Sequence, residues 1–191
     1  MDKKQVRQAE EAVSVLKNQS LRFVFRFLDM ICFEFGDIII KKAFGRNEEK
    51  KPMFVDTEAG KYALHIQTFF RLSCGSELLL AGGDKFQPNS KLAADENYDS
   101  AGFDWSIDGN NRFDEVAKEI FPQPCNLVVS DVSVSKLGDL KLSFTNGFVL
   151  EVLVDVSGTA ECWRFFESQT EKHLVVTGQG IEPEAEESAA P

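Results

Sequence analysis

The residue types best suited to chemistry are concentrated in the stretch DWSIDGNNRFDE at residues 104–115. Asp104, Ser106 and Asp108 stand at alternate positions, Gly109 follows where a tight turn is needed, and Glu115 closes the run. A hard cation such as calcium takes about six to eight oxygens, and this spacing can curl side chains, a backbone carbonyl at Asn110 and a two-oxygen carboxylate around one ion. Asp104, Ser106, Asp108 and Glu115 are therefore the candidate metal ligands. Three features depart from a calcium loop. Asn111 stands where an apolar residue is usual, Arg112 brings a cation to a ligand position, and Gly102 interrupts the segment that an entering helix would occupy. They favour the competing reading, an Asx-rich turn that caps a helix through Asn111 or Asp114, with Val116, Ile120 and Phe121 facing inward.

Two further sets deserve comparison. Cys162, His173 and Glu161 supply the residue types of a thiol nucleophile with its base, but no spacing ties them together, and scattered cysteines and histidines produce such trios by chance. No catalytic residue is assigned. His65, Gln67 and Arg71 share one face of an alternating segment, and with Glu161, Trp163 and Arg164 they could line a polar pocket for an anionic or peptide ligand. The competing reading, which is favoured, is an arginine-to-acid pairing that closes the open face of a sheet.

The elements that must hold these residues follow from periodicity. Val6, Ala9, Val13 and Leu16 recur at helical spacing within residues 3–18, which predicts an amphipathic helix. From Ser20 the period becomes two, with Leu21, Phe23, Phe25 and Phe27 on the drier face and Arg22, Val24 and Arg26 on the other. Met30–Phe35 reads as a second, largely buried strand or a continuation of the first past a bulge, stopping at Gly36, and 45–60 as a polar loop with a short edge strand at Met53–Val55. Tyr62, Leu64, Ile66, Phe70 and Leu72 share one face of a strand that turns at Gly75 into Glu77–Ala81. LKLSF and FVLEVLV flank Asn146-Gly147 and form a hairpin. A three-residue loop with Gly147 left-handed pairs Phe144 with Phe148, Leu142 with Leu150 and Leu140 with Val152, keeping the large residues on one face. His173–Thr177 is the last strand.

Composition narrows the function classes. With 191 residues and 43% hydrophobic content the chain fits one domain, 1–181, followed by an acidic tail, 182–191, too poor in apolar residues to order itself. The four cysteines lack paired spacing and read as buried thiols, so neither disulfides nor structural zinc are expected. Apolar runs fall short of the roughly 18 residues a membrane span needs and the start lacks an apolar signal core, so a cytoplasmic protein with no membrane partner is expected. The net charge of −10 resides wholly in 95–115 and 182–191, and no Lys/Arg cluster offers a nucleic-acid site. Phe supplies 17 of the aromatic residues and belongs mostly in the core, which leaves Tyr62, Tyr98, Trp105 and Trp163 as recognition aromatics.

The succession FEFG, YALHIQTFFRL, GFDWSIDGNNRFDE, GDLKLSFTNGFVLEVLVD, ECWRFF and HLVVTGQGI resembles a group of bacterial hypothetical proteins of similar length with no assigned activity, over most of the chain after Ser20. The resemblance implies a small cytosolic bacterial protein and carries over no site residue. The expected fold is α+β: an antiparallel or partly mixed sheet of about six to eight strands, an N-terminal helix and a second helix near 112–121. The expected function is a non-enzymatic binding protein that uses its acidic surface to engage a basic protein partner, an immunity-like role by analogy. The alternative is a calcium-binding protein or metal-dependent enzyme using the 104–115 loop; no other cofactor is expected, and oligomeric state is left open.

Overall fold

The computed structural model describes residues 1–46, 51–122, 124–170 and 172–182; the charged stretch at 47–50 and the acidic tail beyond 182 lie outside the described residues. Helix α1 (Lys3–Val13) begins with a reciprocal cap. Asp2 Oδ1 accepts from the Gln5 amide at 2.8 Å, and Gln5 Oε1 accepts from the Asp2 amide at 3.2 Å. Its apolar stripe buries Ala9 and Val13, and a 3-10 turn, Ser14–Leu16, adds Leu16.

The strands are β1 (Ser20–Phe27), β2 (Met30–Arg46), β3 (Pro52–Ile66), β4 (Phe69–Cys74), β5 (Glu77–Ala81), β6 (Leu127–Val134), β7 (Leu140–Phe144), β8 (Phe148–Leu153), β9 (Glu161–Glu167), β10 (His173–Thr177) and β11 (Gly180–Ile181). Helices α2 (Ser90–Ala93) and α3 (Arg112–Ile120) fall between β5 and β6. One sheet takes all the described strands in the order β11-β10-β9-β3-β2-β1-β6-β7-β8-β4-β5, and every neighbouring pair is antiparallel. The α+β class and the N-terminal helix agree with expectation, but the described strands number eleven rather than six to eight. The excess includes β6, whose serines and Asp131 blur its apolar pattern, and the two-residue β11.

Only Gln67 and Thr68 join β3 to β4, yet β2, β1, β6, β7 and β8 separate the two in the sheet. So short a link is possible only if the sheet folds over on itself, and the segment 62–72 expected as one strand is instead the corner of that fold. Thr68 Oγ1 donates to the Leu153 carbonyl at 2.5 Å and holds the corner. The folded sheet encloses the core. Phe33 on β2 meets Phe70 on β4 edge-on at 6.2 Å, and Phe121, just beyond α3, meets Phe33 at the same separation. Trp163 is fully buried and its Nε1 donates to the Gly138 carbonyl at 2.8 Å, tying β9 to the β6–β7 turn. Each of these rings withdrawn from water contributes about 1.5–3 kcal/mol.

The Asn-Gly hairpin has the expected register, Leu140 opposite Val152 and Leu142 opposite Leu150, with Gly147 at φ 89. Two expectations are corrected. Leu21 lies opposite Phe35 while Phe23 lies opposite Glu34, so Arg22 is an extra residue and the face alternation flips there. Leu21 and Val24 are buried, but Phe25 and Phe27 are exposed on the outer face. Met30–Phe35 does not end at Gly36: a bulge there, with Gly36 at φ 85, lets β2 run on to Arg46 paired with β3 back to Pro52. Residues 52–60 are therefore one side of a long hairpin arm, and their polar character reflects an arm in contact with solvent, not a loop. No helix among the described residues is long and apolar enough to cross a membrane.

Candidate functional site

Arg26 organises the expected metal loop. Because the Arg22 bulge puts Arg26 on the inner side of β1, its guanidinium reaches α3, where Nε and Nη2 donate to the two carboxylate oxygens of Asp114 at 2.8 and 2.9 Å. The same group donates to the carbonyls of Leu28 at 3.1 Å, Ser106 at 3.3 Å and Ile107 at 3.2 Å, and lies 3.3 Å from Asp108 Oδ1. Its side chain is 2% exposed. The hydrogen bond to Asp114 raises the Arg26 pKa against the opposing pull of burial. A guanidinium from β1 thus sits where the loop's carbonyls and carboxylates converge.

The four candidate metal ligands are not brought together. Asp104 Oδ1 accepts from the Ser106 amide at 2.9 Å and Oγ at 2.6 Å, and Glu115 accepts from the amide and hydroxyl of Ser90; these hydrogen bonds hold both carboxyls below their usual pKa. Asp108 is 97% exposed and faces Arg26. Among the described residues no group of three or more His, Cys, Asp or Glu could hold a metal. The local structure is the Asx turn and cap: Asn111 Oδ1 accepts from the Asp114 amide at 2.9 Å, Phe121 is buried, and Val116 and Ile120 pack half-buried against the core beside buried Phe113 and Ala117.

The guanidinium also gathers an apolar surface. Leu28 and Ile107, whose carbonyls it binds, are both more than half exposed, and neighbouring Phe27 is 67% exposed. Leu28 sits at φ 56, a left-handed conformation costly for a branched side chain. Lys85 donates to the Asp29 carbonyl at 2.7 Å, which places Phe86, half exposed and edge-on to Trp105 at 5.3 Å, beside the same hairpin tip. Asp29, Asp104 and Asp108 are exposed around it, and so are Asp95, Glu96 and Asp99 on the turns before it. Among the described residues no lysine or arginine forms an ion pair with Asp95, Glu96, Asp99 or Asp104. Part of the expected acidic region is thus spent internally on Arg26, and part remains outward.

Of the six candidate ligand-binding residues, His65, Glu161 and Arg164 meet on the outer face. His65 lies opposite Arg164 across β3 and β9. Cys162 is an extra residue in β9, since Trp163 pairs with Val176 and Glu161 with Thr177; this bulge puts Glu161 and Arg164 on one face, and Arg164 grips the carboxylate with Nε at 2.6 Å and with Nη2. Gln67 is exposed just beyond β3, Trp163 points into the core, and Arg71 pairs with Glu151 on the other half of the sheet at 2.7 Å. Two neighbours were missed. Phe166 packs flat against His173 at 4.1 Å and edge-on to His65 at 4.9 Å, and buried Glu34 accepts from the Gly60 amide at 2.8 Å and Lys41 at 3.1 Å. The pairing of β3 with β2 and of β9 with both β3 and β10 joins these residues, and no local pattern carries that.

On this face a thiol and an imidazole meet, both held in their neutral forms. Cys32 lies directly opposite His65, but burial pushes the thiol up to about 12, and burial followed by Arg164 lowers the imidazole to about 4. Both shifts disfavour a thiolate with an imidazolium. Cys162 is buried in the core with a raised pKa, whereas His173 is exposed on the outer face. No buried side-chain nitrogen or oxygen among the described residues lacks a hydrogen-bond partner. Compared with protein-family models, curated proteins and solved structures, the chain matches none.

Proposed function

We propose that the chain is a protein-binding module that presents the tip of the β1–β2 hairpin and the 104–108 loop to a basic partner surface. The observation that carries this reading is that one buried guanidinium binds the carbonyls of exposed Leu28 and Ile107, next to exposed Phe27 and the exposed carboxylates of Asp29 and Asp108. Single exposed apolar residues are ordinary. Here they come from segments far apart in sequence, and one is held in a strained conformation that Gly or Asn would adopt more cheaply. Apolar contact supplies affinity, and the carboxylates steer and orient a partner rich in lysine and arginine.

The test is a labelled peptide of lysine, arginine and leucine in equal parts, against a counterpart in which glutamate replaces every base. Anisotropy is followed from about 0.01 M to about 1 M salt, over which the screening length falls from about 30 to 3 Å. The basic peptide binds and weakens as salt rises. Phe27→Ser and Ile107→Ser each reduce its affinity by about tenfold. Equal binding of the glutamate peptide, or indifference to both substitutions, refutes the proposal.

A further inference from the structure

We infer that the cleft between β1 and α3 is where such a partner seats one apolar side chain carried next to a basic residue; the inference rests on the binding face proposed above. The cleft has a volume of about 710 Å³, within the range of ligand-sized pockets, and opens beside Asp108. Its floor is apolar: Val24, Phe113, Ala117 and Phe121 are almost wholly buried, and exposed Phe25 forms a lip. The polar groups at its wall are already committed. Asp114 accepts from Arg26, from the Gly109 amide at 2.8 Å and from Asn111 Nδ2 at 3.0 Å. An entering polar group would lose its hydration and find little in exchange, whereas an aliphatic or aromatic group loses nothing.

The charges at the two ends give the occupant a direction. Arg26 makes its shorter bonds to Asp114 and only a 3.3 Å contact to Asp108, so Asp108, 97% exposed, keeps a negative charge to offer at the mouth. Lys118, exposed, lines the cleft one helical turn beyond Asp114. A partner's lysine or arginine therefore belongs at the Asp108 end, its neighbouring apolar side chain on the Phe113–Ala117 floor, and no second base at the Lys118 end. This is the chemistry of a basic segment with a single apolar anchor, complementary in charge to the surrounding carboxylates.

The experiment uses the full chain at low salt and two blocked peptides, four lysines followed by leucinamide and four lysines followed by alaninamide, titrated by amide chemical shift. The leucine peptide is expected to bind about tenfold more tightly. It should shift the amides of Gly109 and Ala117 and leave Gly147 unmoved. Filling the cleft with Ala117→Phe should erase the leucine advantage without altering the alanine peptide's affinity; if that variant does not fold, the location of the wild-type shifts decides. Equal, salt-sensitive binding of both peptides overturns the cleft and leaves the basic-partner reading standing. A leucine preference with shifts remote from Gly109 and Ala117 also overturns the cleft, and failure of both peptides to bind removes both proposals.

Discussion

Replacing Arg26 by methionine keeps the aliphatic stem against the core and removes only the charge and its hydrogen bonds. In the wild type the guanidinium is 2% exposed and Asp114 16% exposed, with two bonds of 2.8 and 2.9 Å between them. Breaking a buried pair from one side leaves a desolvated charge, a loss of about 3–5 kcal/mol. The carbonyls of Leu28, Ser106 and Ile107 also lose their donor, but they lie in exposed residues and water replaces it. Against a typical total stability of about 5–15 kcal/mol, Arg26→Met should cost about a fifth or more of the fold's margin. Asp114→Asn in the same chain removes the stranded charge while Asn111 and Gly109 still bond the amide oxygen, so the double variant should be more stable than Arg26→Met alone, by about 1–2 kcal/mol. Urea unfolding followed by circular dichroism measures both. A loss below about 1 kcal/mol for Arg26→Met, or a double variant weaker than either single one, would show that the pair is not the clamp described here.

Leu28→Gly relieves the left-handed strain at the hairpin tip and should raise stability by about 0.5–1 kcal/mol while weakening the basic peptide; a fall in thermal midpoint would contradict the strained turn. His65, lowered to about 4 from 6.5 by burial and then Arg164, stays neutral in the fold where the unfolded chain takes a proton. Its contribution is complete above pH 6.5 and is lost as pH falls from 6.5 toward 4, so His65→Gln should flatten stability across that window; an imidazole titrating near 6.5 by NMR counts against it. A thiol reagent at about pH 8 should modify half-buried Cys74 quickly and Cys32, Cys125 and Cys162 only on unfolding; fast loss of the Cys32 thiol would contradict its burial.

Features governed by neighbours in sequence could be read without coordinates. The Asn146-Gly147 hairpin needs one left-handed residue, and Gly147 supplies it beside apolar residues spaced to match. The Asn111 cap of α3 and the amphipathic stripe of α1 likewise rest on contacts within a few residues. What failed was phase and pairing. A period of two marks a strand but not where an extra residue enters, so the Arg22 bulge exchanged the faces of Phe25, Phe27 and Arg26 without altering the local pattern. The meeting of His65 with Arg164, and of Arg26 with an acid 88 positions away, depends on which strands and helices become neighbours. The chain determined an α+β protein with its acids concentrated; only the folded sheet decided that Arg26 would bind the carbonyls of the 104–108 loop and the Asp114 carboxylate. An arginine carries no mark of its partner until burial, by removing water, makes one carboxylate worth far more than the rest.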